Sequence, residues 1–324
     1  MFIPLVSVII ATYNSLPFVI ETLESVSNQT WKELELIITD DCSIDNTVEV
    51  SSKWLNENRK RFFSAKIITS EKNTGVSANA NRGLYAAKGD WIKFLGADDA
   101  LKPNCIEVNM LWIASHPEVK VLFSGIDVYR NTFEPQNLIN ITHGNPFDSN
   151  SIMATDRSAE SQYKMLLLSD RIRYTPSVCL QRETLVAVGG FDERFRLLED
   201  YPLWLNFTKN GHKLHFMNKV TVNYRQHNKA INNTGVSYLV NPNYFKQEDF
   251  RKVYTYPYLP AEIRLNQRFT WFASQIFRFR LINQNSMPNR FLLAFLTTFL
   301  NPFKYFIYLK KRLNKYLKED EFYM

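Results

Sequence analysis

Trp91-Ile92-Lys93-Phe94-Leu95-Gly96-Ala97-Asp98-Asp99 is the stretch whose reading decides the fold. Its apolar part, dominated by Trp, Ile, Phe and Leu, follows the Gly89-Asp90 turn signal and reads as a buried strand. Two adjacent carboxylates stand at its carboxyl end. In an open α/β sheet that edge is where ligands bind, and paired carboxylates there can hold a divalent cation that also grips phosphate oxygens. The alternative is a strand ending in a polar turn, with one Asp capping the helix that begins near Pro103.

Toward the N-terminus, residues 6–10 and 34–38 are two β-branched runs separated by residues 17–29, whose apolar positions recur at helical spacing. That is a βαβ unit. A helix over 45–56 capped by Ser43 or Asp45, a strand at 66–68 and a helix over 77–88 stopped by Gly89 follow. Strands alternating with helices predict a mainly parallel sheet covered on both faces, with right-handed crossovers. Both early strands also end in polar clusters, Ala11-Thr12-Tyr13-Asn14 and Thr39-Asp40-Asp41-Cys42-Ser43, so three strand ends converge on one edge. Tyr13 can stack on a base, and Asp41 can accept from an imide N–H; Asp40 suits turn formation. No Gly-x-Gly-x-x-Gly follows the first strand and no P-loop occurs, so the dinucleotide and P-loop readings lose their support.

Toward the C-terminus, residues 103–115 read as a helix and 119–123 as a strand. Residues 130–160 are polar and irregular and suggest a loop over the site, with His143 a lone surface histidine. A helix over 183–188 stops at Gly189-Gly190, and Glu199-Asp200 precede an apolar helix, where acids also favour the macrodipole.

A 324-residue chain with 45% hydrophobic content can bury a large core and suggests about two units. Cys42, Cys105 and Cys179 are odd in number, widely spaced and without metal-site spacing, which fits a reducing compartment. Residues 1–5 show no secretory signal, so a cytoplasmic catalytic body is expected. The net charge of +7 is concentrated at the end, where residues 251–324 hold 13 Lys and Arg against 4 Asp and Glu. The same span holds 18 of the 46 aromatic residues, at helical spacing with Leu and Ile, and its segments 269–280 and 291–300 read as helices. None of its segments is an apolar run of the ~20 residues a spanning helix needs, because Asn301, Pro302 and Lys304 interrupt the best one. A helix lying in the membrane surface fits this composition, while packing on the core or on a second subunit is the structural alternative. Nucleic-acid binding is disfavoured, since these aromatics do not decorate a sheet.

Six segments in order resemble the signature of glycosyltransferase family 2: residues 7–14, 40–47, 73–77, 96–99, 189–193 and Glu199-Asp200. The resemblance covers about residues 5–230. It implies a GT-A (Rossmann-like) α/β fold, with 1–105 as the nucleotide-sugar half, 106–235 as the acceptor half and 236–324 as a C-terminal helical extension. It further implies a nucleotide-diphosphate sugar donor, a cation (Mn2+ or Mg2+) and inversion at the anomeric carbon. By position, Ala11, Tyr13, Asp41, Asn73, Gly75 and Asp98 would hold the nucleotide sugar. Asp98 and Asp99, with His227, would hold the metal; Pro176, Ser177, Glu199 and Trp204 would line the acceptor side. Asp200 would be the base, since a carboxylate within reach can take the acceptor hydroxyl's proton. Two departures stand out: Gly96 and Ala80 replace an Asp and an Arg common in the family. Lys72 or Arg82 can supply the missing positive charge, and Arg225 or His227 can reach the diphosphate or complete the cation's ligands.

The expected function is transfer of a hexose or N-acetylhexosamine, from a UDP donor, to a glycan or lipid-linked glycan in bacterial polysaccharide assembly, peripheral on the inner face of the cell membrane. A sugar-phosphate nucleotidyltransferase and a catalytically silent membrane-associated scaffold are the rival readings.

Overall fold

The computed structural model describes residues 3–142, 144, 146–148, 150–228, 238–317 and 322. The lone His143 falls outside the described residues. The chain divides into residues 1–163 with 171–227, and residues 164–170 with 228–324.

The first unit starts with the predicted alternation: β1 (Val6–Thr12), α1 (Val19–Ser27), β2 (Leu34–Asp40), α2 (Thr47–Asn58), β3 (Ser64–Thr69), α3 (Val76–Ala86) and β4 (Trp91–Gly96). These strands pair in the order β3-β2-β1-β4, all parallel. β1 and β2 are mostly apolar because helices cover both faces of a parallel sheet; every residue of β2 is buried, Glu35 among them with Ser7 Oγ donating to it. α1 turns Val19, Leu23 and Val26 inward at helical spacing. α3 lies against β1 at Gly83, where a Cβ would stand 2.4 Å from the Ile9 side chain, so only glycine permits that approach.

After β4 the sheet changes character. β5 (Ala100–Leu101), α4 (Cys105–Ala114), β6 (Val121–Arg130), β7 (Leu138–Thr142), α5 (Ala159–Leu168), β8 (Cys179–Gln181), α6 (Arg182–Ala187), α7 (Asp200–Lys209) and β9 (Leu214–Gln226) follow. The order continues β4-β8-β6-β9-β5, with β7 on β6. β8 is antiparallel to both β4 and β6, and β6 is parallel to β9. The irregular loop expected over 130–160 is corrected here: β6 extends to Arg130 and β7 pairs with it. β7 is an edge strand whose Leu138, Ile139 and Ile141 are exposed, so no buried face marks it in the sequence.

The second unit is helical: α8 (Pro242–Lys246), α9 (Glu248–Tyr254), α10 (Ala261–Ala273), α11 (Met287–Ala294) and α12 (Pro302–Leu317). Phe245, Phe250, Tyr256, Leu259, Ile263 and Phe277 are buried in it. The helix expected over 269–280 ends at Ala273 and tightens into a 3-10 turn over Ser274–Arg278. The helix expected over 291–300 widens into a π turn over Phe295–Phe299. Among the described residues, no single helix is long and apolar enough to cross a membrane.

Candidate active site

The register sets the strand ends side by side: Ala11 pairs with Thr39 on one side and Gly96 on the other. The polar clusters that follow these strands therefore share one rim. Asp40 accepts from Thr12 Oγ1 at 2.7 Å and from the Ser43 main-chain N and Oγ, forming the turn. Tyr13 is about half exposed beside it.

Asp41 is buried and surrounded by donors: Thr74 N at 3.0 Å, Thr74 Oγ1 at 2.6 Å, Gly75 N at 2.7 Å and Arg82 Nη2 at 2.8 Å. Burial pushes its carboxyl upward, but these donors outweigh it and hold the group below the usual range. Asp41 thus ties β2 to the Asn73-Thr74-Gly75 strap, and a base N–H arriving at it would take the place of one donor. Arg82, 23% exposed, is the most accessible of them. Gly75 has φ +97°, and a Cβ there would meet the Arg196 carbonyl at 2.6 Å. Glycine is required by conformation and by space.

Asp98 and Asp99 leave β4 in different environments. The Asp98 side chain is one-third exposed and faces His227 Nε2 at 3.0 Å. Asp99 is buried and accepts from the Arg225 main-chain N at 2.9 Å. Its burial, followed by the Asp98 charge, raises its pKa well above the carboxylate norm. Arg225 was one of two residues expected to reach a diphosphate, and that expectation is corrected. Its guanidinium is buried, with Nε on the Asp98 carbonyl at 2.7 Å, Nη1 on the Asn131 carbonyl and Nη2 on Glu21. It lies over the Phe133 ring at 3.9 Å and the Phe18 ring at 4.9 Å. Arg225 braces the loop that carries the acids, while His227, two residues on along the same side of the chain, faces Asp98.

Asp200 opens α7. Its Oδ2 accepts from Thr175 Oγ1 at 3.0 Å and its Oδ1 from the Tyr201 main-chain N at 2.7 Å. β8 runs antiparallel to β4 with Lys93 opposite Cys179, so Thr175–Ser177, just before β8, continues toward the end of β4 that leads to Asp98. The Thr175 bond therefore ties Asp200 to the segment that continues past that end of β4. Burial raises the Asp200 pKa. Burial and the Asp200 charge push Glu199 up to about 7. The segment before α7 is strapped to α3: Arg196 donates to the Thr74 carbonyl at 3.0 Å and to Asn73 at 2.8 Å, and Ser77 Oγ donates to the Phe195 carbonyl at 2.8 Å. Asn81 bonds both main-chain groups of Phe191, at 2.8 and 2.9 Å.

Two acceptor-side expectations are corrected. Trp204 is 1% exposed and packs edge-to-face on Phe123 at 4.9 Å, as a core residue. Ser177 is equally buried; its Oγ accepts from Ser124 N and donates to the Tyr174 carbonyl. Pro176 and Glu199 are half-buried beside them. Sequence reasoning missed Thr175, Arg196, Phe18, Phe133 and Glu21. The Arg225/His227 pair at alternate strand positions was the available signal for the clamp; partners from three separate loops carried none.

Among the described residues, no three His, Cys, Asp or Glu side chains form a ready metal cage. One or two carboxylates with phosphate oxygens and water suffice for Mg2+. The exposed Asp98 carboxylate at the rim, beside His227, fits that donor set.

The model of the family described as Glycosyl transferase family 2 matches residues 7–173. An uncharacterized glycosyltransferase of Haemophilus influenzae is 28% identical over 201 residues, 62% of this chain and 61% of that protein, so the chain spans less than two thirds of that relative. The putative teichuronic acid biosynthesis glycosyltransferase TuaG of Bacillus subtilis is 27% identical, over 70% of this chain and 81% of its own. Staphylococcus aureus TarS 1–349 in complex with UDP-GlcNAc superposes with a TM-score of 0.57 at 17% identity, covering 90% of this chain and 78% of that one. This likeness gives the fold, a GT-A α/β sheet flanked by helices. With half the sequence matched by one family model and the fold shared, the chain belongs to glycosyltransferase family 2.

Proposed function

We propose that the protein transfers a hexose or N-acetylhexosamine from a UDP-sugar to a glycan or lipid-linked glycan, with inversion, in surface polysaccharide assembly on the inner face of the cell membrane. The observation that supports this reading is the Thr175–Asp200 hydrogen bond, which ties a half-buried carboxylate to the segment leading into β8, the antiparallel neighbour of β4. The UDP-GlcNAc complex of TarS and the polysaccharide role in the name of TuaG support the donor and the setting.

Each residue has a chemical task. Tyr13 and the Asp41-ordered strap at Asn73 and Gly75 receive the nucleoside. Asp98, with Asp99 and His227, would hold Mn2+ or Mg2+, which neutralises charge on a departing diphosphate when bound. Asp200 accepts the acceptor hydroxyl's proton as the new C1–O bond forms and the bond from C1 to the phosphate oxygen breaks. A single displacement of this kind inverts C1 and leaves a nucleoside diphosphate. Thr175 and the Tyr201 N–H hold Asp200 in place, and its burial raises its basicity.

Purified protein should release UDP from a UDP-sugar in the presence of Mn2+ and a glycan acceptor. Asp200→Asn should lower turnover at least ~10²-fold, the range of lost acid–base catalysis, while donor affinity stays within about twofold. Turnover by Asp200→Asn equal to wild type removes the base assignment; release of pyrophosphate from UTP and a sugar phosphate favours the nucleotidyltransferase instead.

A further inference from the structure

The α11–α12 helix pair is packed the wrong way round for water. Asn301 is fully buried, and Thr297 and Asn314 are 8% exposed, whereas Phe291, Phe299, Phe306, Leu309 and Leu313 are all more than half exposed. Asn301 bonds inward to α10, its Nδ2 donating to Asn266 Oδ1 at 2.8 Å and to Thr270 Oγ1 at 3.3 Å, Thr297 Oγ1 donates to the Leu293 carbonyl, and Lys310 pairs with Glu262 of α10. An amphipathic helix on a soluble domain buries its apolar stripe and shows its amides to solvent. Here Phe306, Leu309 and Leu313, at helical spacing, form a stripe that faces outward.

Charge selects what covers this face. Residues 287–317 contain six Lys and Arg and no Asp or Glu, and Lys311 and Arg312 lie exposed between Leu309 and Leu313. Two such faces from two copies would set like charges together. An anionic lipid surface offers hydrocarbon to the stripe and phosphate to its cationic flank. The two limbs, Met287–Phe299 and Pro302–Asn314, meet at 64°. At 1.5 Å per residue each is roughly 20 Å long, short of the ~30 Å hydrocarbon core, so the geometry suits lying in the interface.

We propose that the outward face of α11–α12 is a docking surface for anionic lipid bilayers, held in plane by Phe306, Leu309 and Leu313 with Lys311 and Arg312 at the headgroups. The proposal rests on the membrane placement stated under Proposed function and is independent of the transfer chemistry.

The test is flotation of the full chain with phosphatidylcholine vesicles, with and without about one third phosphatidylglycerol. Wild type is expected to float with the anionic vesicles and to be released by high salt. Phe306→Asn/Leu309→Asn and Lys311→Glu/Arg312→Glu should each reduce the bound fraction at least tenfold, with unchanged melting temperature and unchanged UDP release from a water-soluble acceptor. Wild type that stays unbound overturns the proposal. So does a concentration-dependent dimer in light scattering that the Phe306/Leu309 variant dissolves, which assigns the face to a second copy. Retention through alkaline carbonate also overturns it, as the mark of a spanning segment. Loss of UDP release in Asp200→Asn with flotation intact would separate the two readings.

Discussion

Replacing Arg225 by Met tests whether the acidic pair is braced from below. The Met side chain can occupy the slot between Phe18 and Phe133, and the main-chain N–H to Asp99 Oδ1 remains. What disappears is the guanidinium: its bond to the Asp98 carbonyl at 2.7 Å, its bond to the Asn131 carbonyl, its pair with Glu21 and its two ring contacts. Glu21 is half exposed and regains water, so that pair contributes below ~1 kcal/mol. The two carbonyl bonds carry about 1.5–3 kcal/mol each before the saved desolvation of a buried cation is deducted, leaving a net loss of about 3 kcal/mol. In a unit of about 220 residues that corresponds to a fall in melting temperature of roughly 6–12 °C. Differential scanning fluorimetry measures the first effect. The second is functional: with the Asp98 carbonyl released, half-maximal Mn2+ for UDP release should rise about tenfold, while Arg225→Lys should restore part of the stability. A melting temperature within 2 °C of wild type and an unchanged Mn2+ requirement would refute the brace.

Three further outcomes follow from the geometry. Gly75→Ala should destabilise by about 3 kcal/mol or more, because φ +97° is strained for alanine and the new Cβ meets the Arg196 carbonyl; urea denaturation checks it, and donor KM should rise with it. Glu199 is pushed up to about 7, so the folded protein holds an extra proton between the ordinary 4.5 and about 7, and stability falls as pH rises through that window, by ~1.4 kcal/mol per unit. Glu199→Gln should therefore gain roughly 2–3 kcal/mol over wild type at pH 8.5 relative to pH 5, read from denaturant midpoints at the two values. Asp41 is held low, so its contribution is present above the ordinary 3.8 and lost as pH falls through its folded value; Asp41→Asn should flatten the acid limb of the unfolding curve and weaken UDP binding by calorimetry.

The parallel half of the sheet was legible because residues 6–10, 34–38 and 91–95 are packed on both faces, which leaves runs that are apolar but for Ser7, Glu35 and Lys93. Only family resemblance grouped Asp41, Asp98, Asp99 and Asp200 as a candidate set, since each alone serves equally as a turn or helix-start acid. Long-range partnerships were not legible. Arg225 and Glu21 are joined across 204 residues by a fork and two rings, and no local pattern encodes such a meeting. Trp204 was misplaced for the opposite reason: an apolar helix that opens on a pair of acids still presents its aromatics to the core, and the large ring found Phe123 there. β7 and the break after Ala273 escaped because an exposed edge and a tightened last turn change hydrogen bonding without changing composition.

The strap between Arg196 and Asn73-Thr74 makes two distant stretches of chain into one mechanical piece. Whatever settles the first stretch also narrows the freedom of residues 195–200, Asp200 among them. On the proposed transfer, a donor seated first would ready the acceptor's place, and initial-rate kinetics should then show ordered binding led by the donor.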